Sequence, residues 1–338
     1  MIPVKLPEDL AWYRDLLQER LWPTTDKIPE DWKAWSQTLR GIFASCGIPE
    51  PDVPEQAPTL MEKIFLLRFE ALNRLREQLD EKIPANSEQA VQLEGIGATL
   101  LAKYSQFSRK AINTAIIDKI GQHVCPYCNE NYIKNRQLRR GPLPDAGRAH
   151  AAAQLDHFFP KKHINYGIFS LTLSNLVPSC PVCNHIKGTQ ELKVSPYMSG
   201  RKLDDVKFTW KSAKHEPIPS SIEDMLLILR AKSPENQLAK DILEDMETLH
   251  LAKQIEGKSE SHYLPHKREA FLLLREARLY TKSHRELLWK DFGELFGFSR
   301  EQEMFRHMLG VFYSEEDAAG YPLGKLRLDI IQSAYTIL

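Results

Sequence analysis

Four of the chain's five cysteines stand in two tight pairs, Cys125-Pro-Tyr-Cys128 and Cys180-Pro-Val-Cys183, with 51 residues between the pairs. Between and just after them lie Asp156-His157, Asn175, Asn184, His185 and Lys187. A single Cys-x-x-Cys is ambiguous, because a redox dithiol has the same spacing. Two of them in one chain point to a tetrahedral four-thiolate zinc site. The two intervening residues let both sulfurs of a turn face one ion about 2.3 Å away, and a second knuckle completes the shell. A complete shell has no position for water or substrate, so one structural Zn²⁺ is expected at Cys125, Cys128, Cys180 and Cys183. No β-α-β pattern surrounds either pair, which argues against a thioredoxin-like dithiol. Cys46 stands apart and reads as a small buried hydrophobe.

The elements that must position these residues are short. Residues 151–159, AAAQLDHFF, read as a strand with Asp156 and His157 near its end. Pro160, Lys161 and Lys162 turn into a loop. Asn175-Leu176-Val177-Pro178 reads as a second strand, and residues 180–190 open a helix that carries Asn184, His185 and Lys187. The local order is strand, loop, strand, helix.

In this order the segment resembles the HNH, or ββα-metal, nuclease family. The matching features are a strand ending in Asp-His, an Asn-Leu-Val-like run, and a Cys-x-x-Cys-Asn-x-x-Lys helix. An earlier Cys-x-x-Cys, as in zinc-containing members, completes the match, which covers about 70 of the 338 residues. The resemblance implies that His157 is the general base for a water attacking phosphorus, a task suited to an imidazole near neutral pH. It implies that Asp156 and Asn184 hold one Mg²⁺ or Mn²⁺ through oxygen ligands. Asn175 matches the middle asparagine, which orients the loop and the base. Asn184 is followed directly by His185, which is the alternative ligand if the helix register differs by one.

Lysine and arginine equal aspartate and glutamate over the whole chain, so net charge alone excludes no partner class. The distribution is uneven: residues 121–200 carry 9 basic and 4 acidic residues, whereas residues 1–120 carry 15 and 18. The insert at 134–150 holds Lys134, Arg136, Arg139, Arg140 and Arg148, and its glycines and prolines rule out a long helix. With Lys161, Lys162 and Lys187 these residues suit a phosphate-binding rim. Double-stranded DNA is the leading substrate and RNA is the alternative, since this mechanism does not use the 2′-hydroxyl. A double-strand break would need two sites, which admits a homodimer or a partnered assembly.

The flanks read as helices at 8–21, 31–45, 59–81, 87–104 and 107–120 before the cysteines. Thr59 and Glu62 have the spacing of a capping box. After the cysteines, a strand at 206–210 precedes helical patterns at 236–256, 265–280, 283–297, 301–313 and 325–336. Ser221 and Asp224 are expected to open a further helix through Met225–Leu229. The expected fold is mostly α: a helical body enclosing a small zinc-stabilised ββα-metal module. Residues 1–120 form its N-terminal helical region, 121–200 the nuclease module and 201–338 the C-terminal helical region. No signal peptide or membrane span is read, and paired free thiols favour a reducing cytoplasm. In organisation the chain is similar to the nuclease component of Septu-type anti-phage systems. No Walker-type loop is present, so any ATP dependence would belong to a regulatory ATPase or other defence-system subunit. The rival reading is a zinc-stabilised module that binds nucleic acid or a partner without turnover.

Overall fold

The computed structural model describes the chain except for residues 24–27, 54–55, 108, 110, 138–148, 162, 256–257, 261–263, 312–316 and 338. Periodic apolar residues build the first helices. Tyr13, Leu17 and Leu21 form the buried face of α1 (Ala11–Leu21), and Trp32, Leu39, Ile42 and Phe43 that of α2 (Glu30–Cys46). Gly47, at φ 63°, ends α2 in the left-handed conformation that glycine adopts without a Cβ penalty. Cys46, the last residue of α2, is only partly buried there.

The Thr59–Glu62 capping box forms in full and starts α3 (Leu60–Phe65). The helix expected to run on to residue 81 breaks after Phe65 and resumes as α4 (Phe69–Lys82). Leu66 and Leu67 are wholly buried at the break, and the Leu67 carbonyl there accepts a hydrogen bond from Ser174 Oγ at 2.7 Å. Two more helices, α5 (Glu88–Tyr104) and α6 (Ile112–Ile120), complete the N-terminal set.

The basic insert pairs at its ends, β1 (Arg136–Gln137) with β2 (Ala149–His150). Beyond it, β3 (Gln154–His157) runs antiparallel to β4 (Leu176–Ser179), with Asp156 opposite Val177 and His157 opposite Leu176. Helix α7 (Pro181–Lys187) follows β4 at once. Cys180 is its N-cap and Pro181 occupies the first turn, where a missing N–H costs nothing.

The loop from β3 to β4 is held by side chains of the flanking helices, which satisfy polar groups that would otherwise be buried without partners. Tyr13 Oη donates to the Leu171 carbonyl at 2.7 Å, and Tyr166 Oη donates to Asp80 at 2.6 Å. Gly97 of α5 meets Gly167 of this loop so closely that a Cβ on Gly97 would sit 2.7 Å from the Gly167 Cα. Only a residue without a side chain allows that approach. Residues 3–126 and 132–200 cluster into one compact unit, so the first helices share a core with the β3–β4–α7 segment.

Residues 201–338, with residues 1–2 and 127–131, form a second unit. It holds a four-stranded antiparallel sheet in the order β5-β6-β8-β7. The strands are β5 (Val206–Ser212), β6 (Met225–Ala231), β7 (Lys253–Ile255) and β8 (Lys258–Glu260), and α8 (Gln237–Thr248) lies between β6 and β7 in the chain. Helices α9 (Leu264–Ala277), α10 (Lys282–Phe292), α11 (Glu301–Met308) and α12 (Gly324–Ile337) follow. The Met225–Leu229 run is therefore a strand and not a helix. A short unbroken apolar run has no period of its own, and pairing along all seven residues of β5 decides its state. Asp224 closes that hairpin by accepting from Ser212 Oγ and Lys214 N, each at 2.8 Å, and from Ser220 N. Helices dominate the regular structure, so the mostly α expectation holds for the chain, with small antiparallel sheets added. Among the described residues, no helix is long and apolar enough to cross a membrane.

Candidate functional site

The two knuckles converge. One sulfur from each of Cys125, Cys128, Cys180 and Cys183 lies within 4.8 Å of the other three, all four residues are buried, and none is in a disulfide. An ion about 2.3 Å from four tetrahedral sulfurs sets neighbouring sulfurs about 3.8 Å apart, so sulfurs gathered this closely can share one metal ion. Donors also face the sulfurs: Cys180 N–H to Cys125 Sγ at 3.3 Å, Cys183 N–H to Cys180 Sγ at 3.4 Å, and Asn131 Nδ2 to Cys128 Sγ at 3.8 Å. Such bonds favour thiolates and orient them as ligands. The Val124–Tyr132 bridge and the Ile133 N–H to His123 carbonyl bond close the first knuckle. The chain thus carries a buried four-cysteine cluster able to chelate a metal ion.

Next to α7 lies a cavity of about 340 Å³ lined by residues that include Tyr104, Phe107, Gln154, Asp156, His157, Lys161 and Asn184. Several elements supply its polar groups, among them Asn113 of α6 and Lys161 of the loop after β3. Asp156 and His157 come from the end of β3, Asn184 from the first turn of α7, and Tyr104 from the last turn of α5.

His157 is oriented by the backbone. Its Nε2 lies 3.1 Å from the Ser170 carbonyl. A carbonyl only accepts, so Nε2 carries the proton and Nδ1 keeps its lone pair. The Tyr104 ring stands edge-on to the imidazole with centroids 4.5 Å apart, and Tyr104 Oη donates to the Leu155 carbonyl at 2.8 Å. Burial, helped by the charges of Lys161 and Lys187, lowers the His157 pKa to about 3 against the raising effect of the Ser170 bond. The ring is therefore neutral at pH 7. Burial, with a contribution from Asp156, pushes the Tyr104 phenol up, so it stays a donor.

Asn175 is fully buried and works on the backbone. Its Oδ1 accepts from Phe159 N at 2.8 Å and its Nδ2 donates to the Phe169 carbonyl at 3.1 Å, while its own carbonyl accepts from Phe158 N. It thereby ties both ends of the loop that presents Ser170 to His157.

Lys187 corrects an expectation. It is expected on a phosphate-binding rim, but it is wholly buried, with Nζ 3.3 Å from Asp156 and donating to the His157 carbonyl at 2.8 Å. A side chain with no exposure cannot meet a nucleic-acid backbone, and here it joins α7 to the end of β3. Lys161 is exposed on the cavity wall, with Nζ 5.3 Å from the Tyr104 ring centroid, and Lys134 is exposed beyond the first knuckle. Arg139, Arg140, Arg148 and Lys162 lie outside the described residues, and Arg136 is described only as backbone in β1.

Asn184 lines the same cavity as Asp156 and His157, with its Nδ2 donating to Gln154 Oε1 at 2.5 Å. His185, the neighbouring residue, is exposed and does not line that cavity. Tyr104, Gln154 and Ser170 escaped sequence reasoning. Each looks ordinary in its own segment, and Tyr104 is a helix residue more than fifty positions from His157. No family model, curated protein or solved structure matches the chain.

Proposed function

We propose that the chain is a zinc-stabilised nucleic-acid module whose cavity hydrolyses phosphodiester bonds by HNH-type chemistry, with DNA as the substrate. The single observation that carries this reading is the oriented, neutral His157, with Asp156 and Asn184 lining the same cavity. In this reading His157 Nδ1 takes a proton from the water that attacks phosphorus, and the 3′-oxygen departs as the leaving group. Its lowered pKa keeps the imidazole neutral beforehand, and an arriving phosphodiester anion raises its proton affinity.

The Asp156 carboxylate and the Asn184 amide oxygen form a hard-oxygen donor set of the type that suits Mg²⁺ or Mn²⁺. Asn184 spends its Nδ2 on Gln154, which leaves the amide oxygen as the side that can ligate. A divalent cation there would neutralise charge on the phosphoryl oxygens and the leaving oxygen. Lys161, exposed on the cavity lining, is the residue this reading assigns to a phosphate contact. A double-strand break would take two such sites, from a homodimer or a partnered assembly.

A second reading has its own observation. The Asp156 carboxylate is already engaged by Lys187, as in a site built for packing, which favours a zinc-stabilised module that binds nucleic acid or a partner without turnover. Incubating the zinc-loaded protein with duplex DNA, single-stranded DNA and RNA, with Mg²⁺, Mn²⁺ or EDTA, separates the two. The nuclease reading expects metal-dependent cleavage of DNA. Binding without cleavage under every metal condition supports the second reading, and cleavage confined to RNA reassigns the substrate.

A further inference from the structure

Among the described residues lining the cavity, Asp156 is the one anion and Lys161 the one cation. Asn184 and Gln154, also on the lining, are uncharged amides. Lys187 adds a second positive charge against Asp156, with its Nζ 3.3 Å from each carboxylate oxygen. Two lysines therefore accompany the one carboxylate of this cavity, Lys187 against Asp156 and Lys161 on the lining. A carboxylate already neutralised by an ammonium group attracts a dication weakly, and Lys161 repels it further. Mg²⁺-type ions bind best where carboxylates and substrate phosphate oxygens act together. A bound phosphodiester would supply the missing negative charge.

Resting on the nuclease reading above, we propose that the catalytic cation and the phosphodiester bind this cavity cooperatively, and that Lys187 sets the coupling by withholding the Asp156 carboxylate from the cation until a phosphate arrives. Lys187 is then a positioning residue with an electrostatic duty. It joins α7 to β3, and it keeps the free protein from loading the divalent ion alone.

The test is Mn²⁺ binding followed by electron paramagnetic resonance, using the zinc-loaded full chain carrying His157→Ala so that DNA stays intact. Titrations run with and without a short duplex and are corrected for Mn²⁺ bound by duplex alone. Wild type without DNA controls for the substitution. Mn²⁺ affinity is expected to rise about tenfold or more when the duplex is present, and duplex affinity must rise by the same factor when Mn²⁺ is present. Adding Lys187→Met should raise Mn²⁺ affinity of the DNA-free protein about tenfold and shrink the coupling. Lys161→Gln, at an exposed position that does not disturb the core, should move both quantities in the same direction and carries the test if Lys187→Met does not fold.

Equal Mn²⁺ affinity with and without duplex, or no change in either lysine variant, overturns the proposal. If that equality coexists with metal-dependent cleavage by wild type, the nuclease reading stands and only the coupling fails. Mn²⁺ bound neither with nor without duplex contradicts the nuclease reading and removes this proposal with it.

Discussion

His157 Nε2 and the Ser170 carbonyl lie 3.1 Å apart across the loop that separates the two short strands. That contact determines which imidazole nitrogen holds the proton, and it depends on the position of a backbone that three neighbouring features hold. Asn175 ties the ends of the loop, Tyr13 Oη holds the Leu171 carbonyl, and the Gly97–Gly167 approach sets the depth of the turn before Ser170. The helices of the first 120 residues are thus part of the machinery that aims His157.

Gly97→Ala tests this dependence. The new Cβ would lie 2.7 Å from the Gly167 Cα, so the 167–169 turn and the Ser170 carbonyl must shift. A destabilisation of about 1–3 kcal/mol is expected from overpacking. Cleavage per folded molecule should also fall, measured by thermal unfolding beside plasmid nicking. Loss of stability with unchanged specific activity would show that the turn does not aim the base.

The four-cysteine cluster predicts one tightly held zinc per chain by metal analysis. Cys125→Ser should lose that zinc and destabilise the fold by about 3 kcal/mol or more, a part of the roughly 10–16 kcal/mol that structural zinc supplies in the smallest zinc domains. A strong zinc chelator should have the same effect on wild type. A zinc-free protein with an unchanged melting curve would contradict a structural metal site.

Much of this site was legible in the sequence, and the boundary of legibility has a physical cause. Cys-x-x-Cys pairs, the Asp-His strand end and the Thr59–Glu62 cap are local patterns whose geometry follows from spacing, and the four sulfurs do meet. Lys187 misleads because a lysine three residues after Asn184 looks like a surface cation until its partner, Asp156, 31 positions away, is seen to bury it. Met225–Leu229 misleads because an apolar run is a strand only by virtue of a partner. The placing of Tyr104 beside the imidazole and of Gly97 against Gly167 are matters of tertiary packing, which no motif records.

Thr59→Ala should cost about 0.5–2 kcal/mol, since it removes the acceptor for the Glu62 N–H and a donor to the Glu62 carboxylate. Urea unfolding checks this. Glu62→Gln should cost less, because an amide oxygen can still accept from the Thr59 backbone N–H. Equal loss in both variants would count against a shared capping box.

Asp224 gives a pH dependence. Burial raises its pKa, but hydrogen bonds from Ser212, Lys214 and Ser220 outweigh this and hold it below the usual carboxylate value. The folded pKa lies below the unfolded one, so its stabilisation is complete above the unfolded value near about 3.9 and is lost as pH falls through the folded value. Asp224→Asn should lower stability at neutral pH and lose less than wild type on acidification, as followed by melting temperature from about pH 7 down to about pH 2. Parallel acid limbs in the two proteins would contradict the assignment.

His157 as the base of a metal-dependent phosphodiesterase is tested most directly by plasmid nicking. Wild type and His157→Ala, both shown to hold zinc and to melt alike, are incubated with supercoiled plasmid in Mg²⁺, in Mn²⁺ and in EDTA. Wild type is expected to nick with either cation and not in EDTA. The rate for His157→Ala is expected to be lower by about 10²–10⁴, the usual worth of a general base. Equal nicking rates for wild type and His157→Ala would contradict the role given to His157.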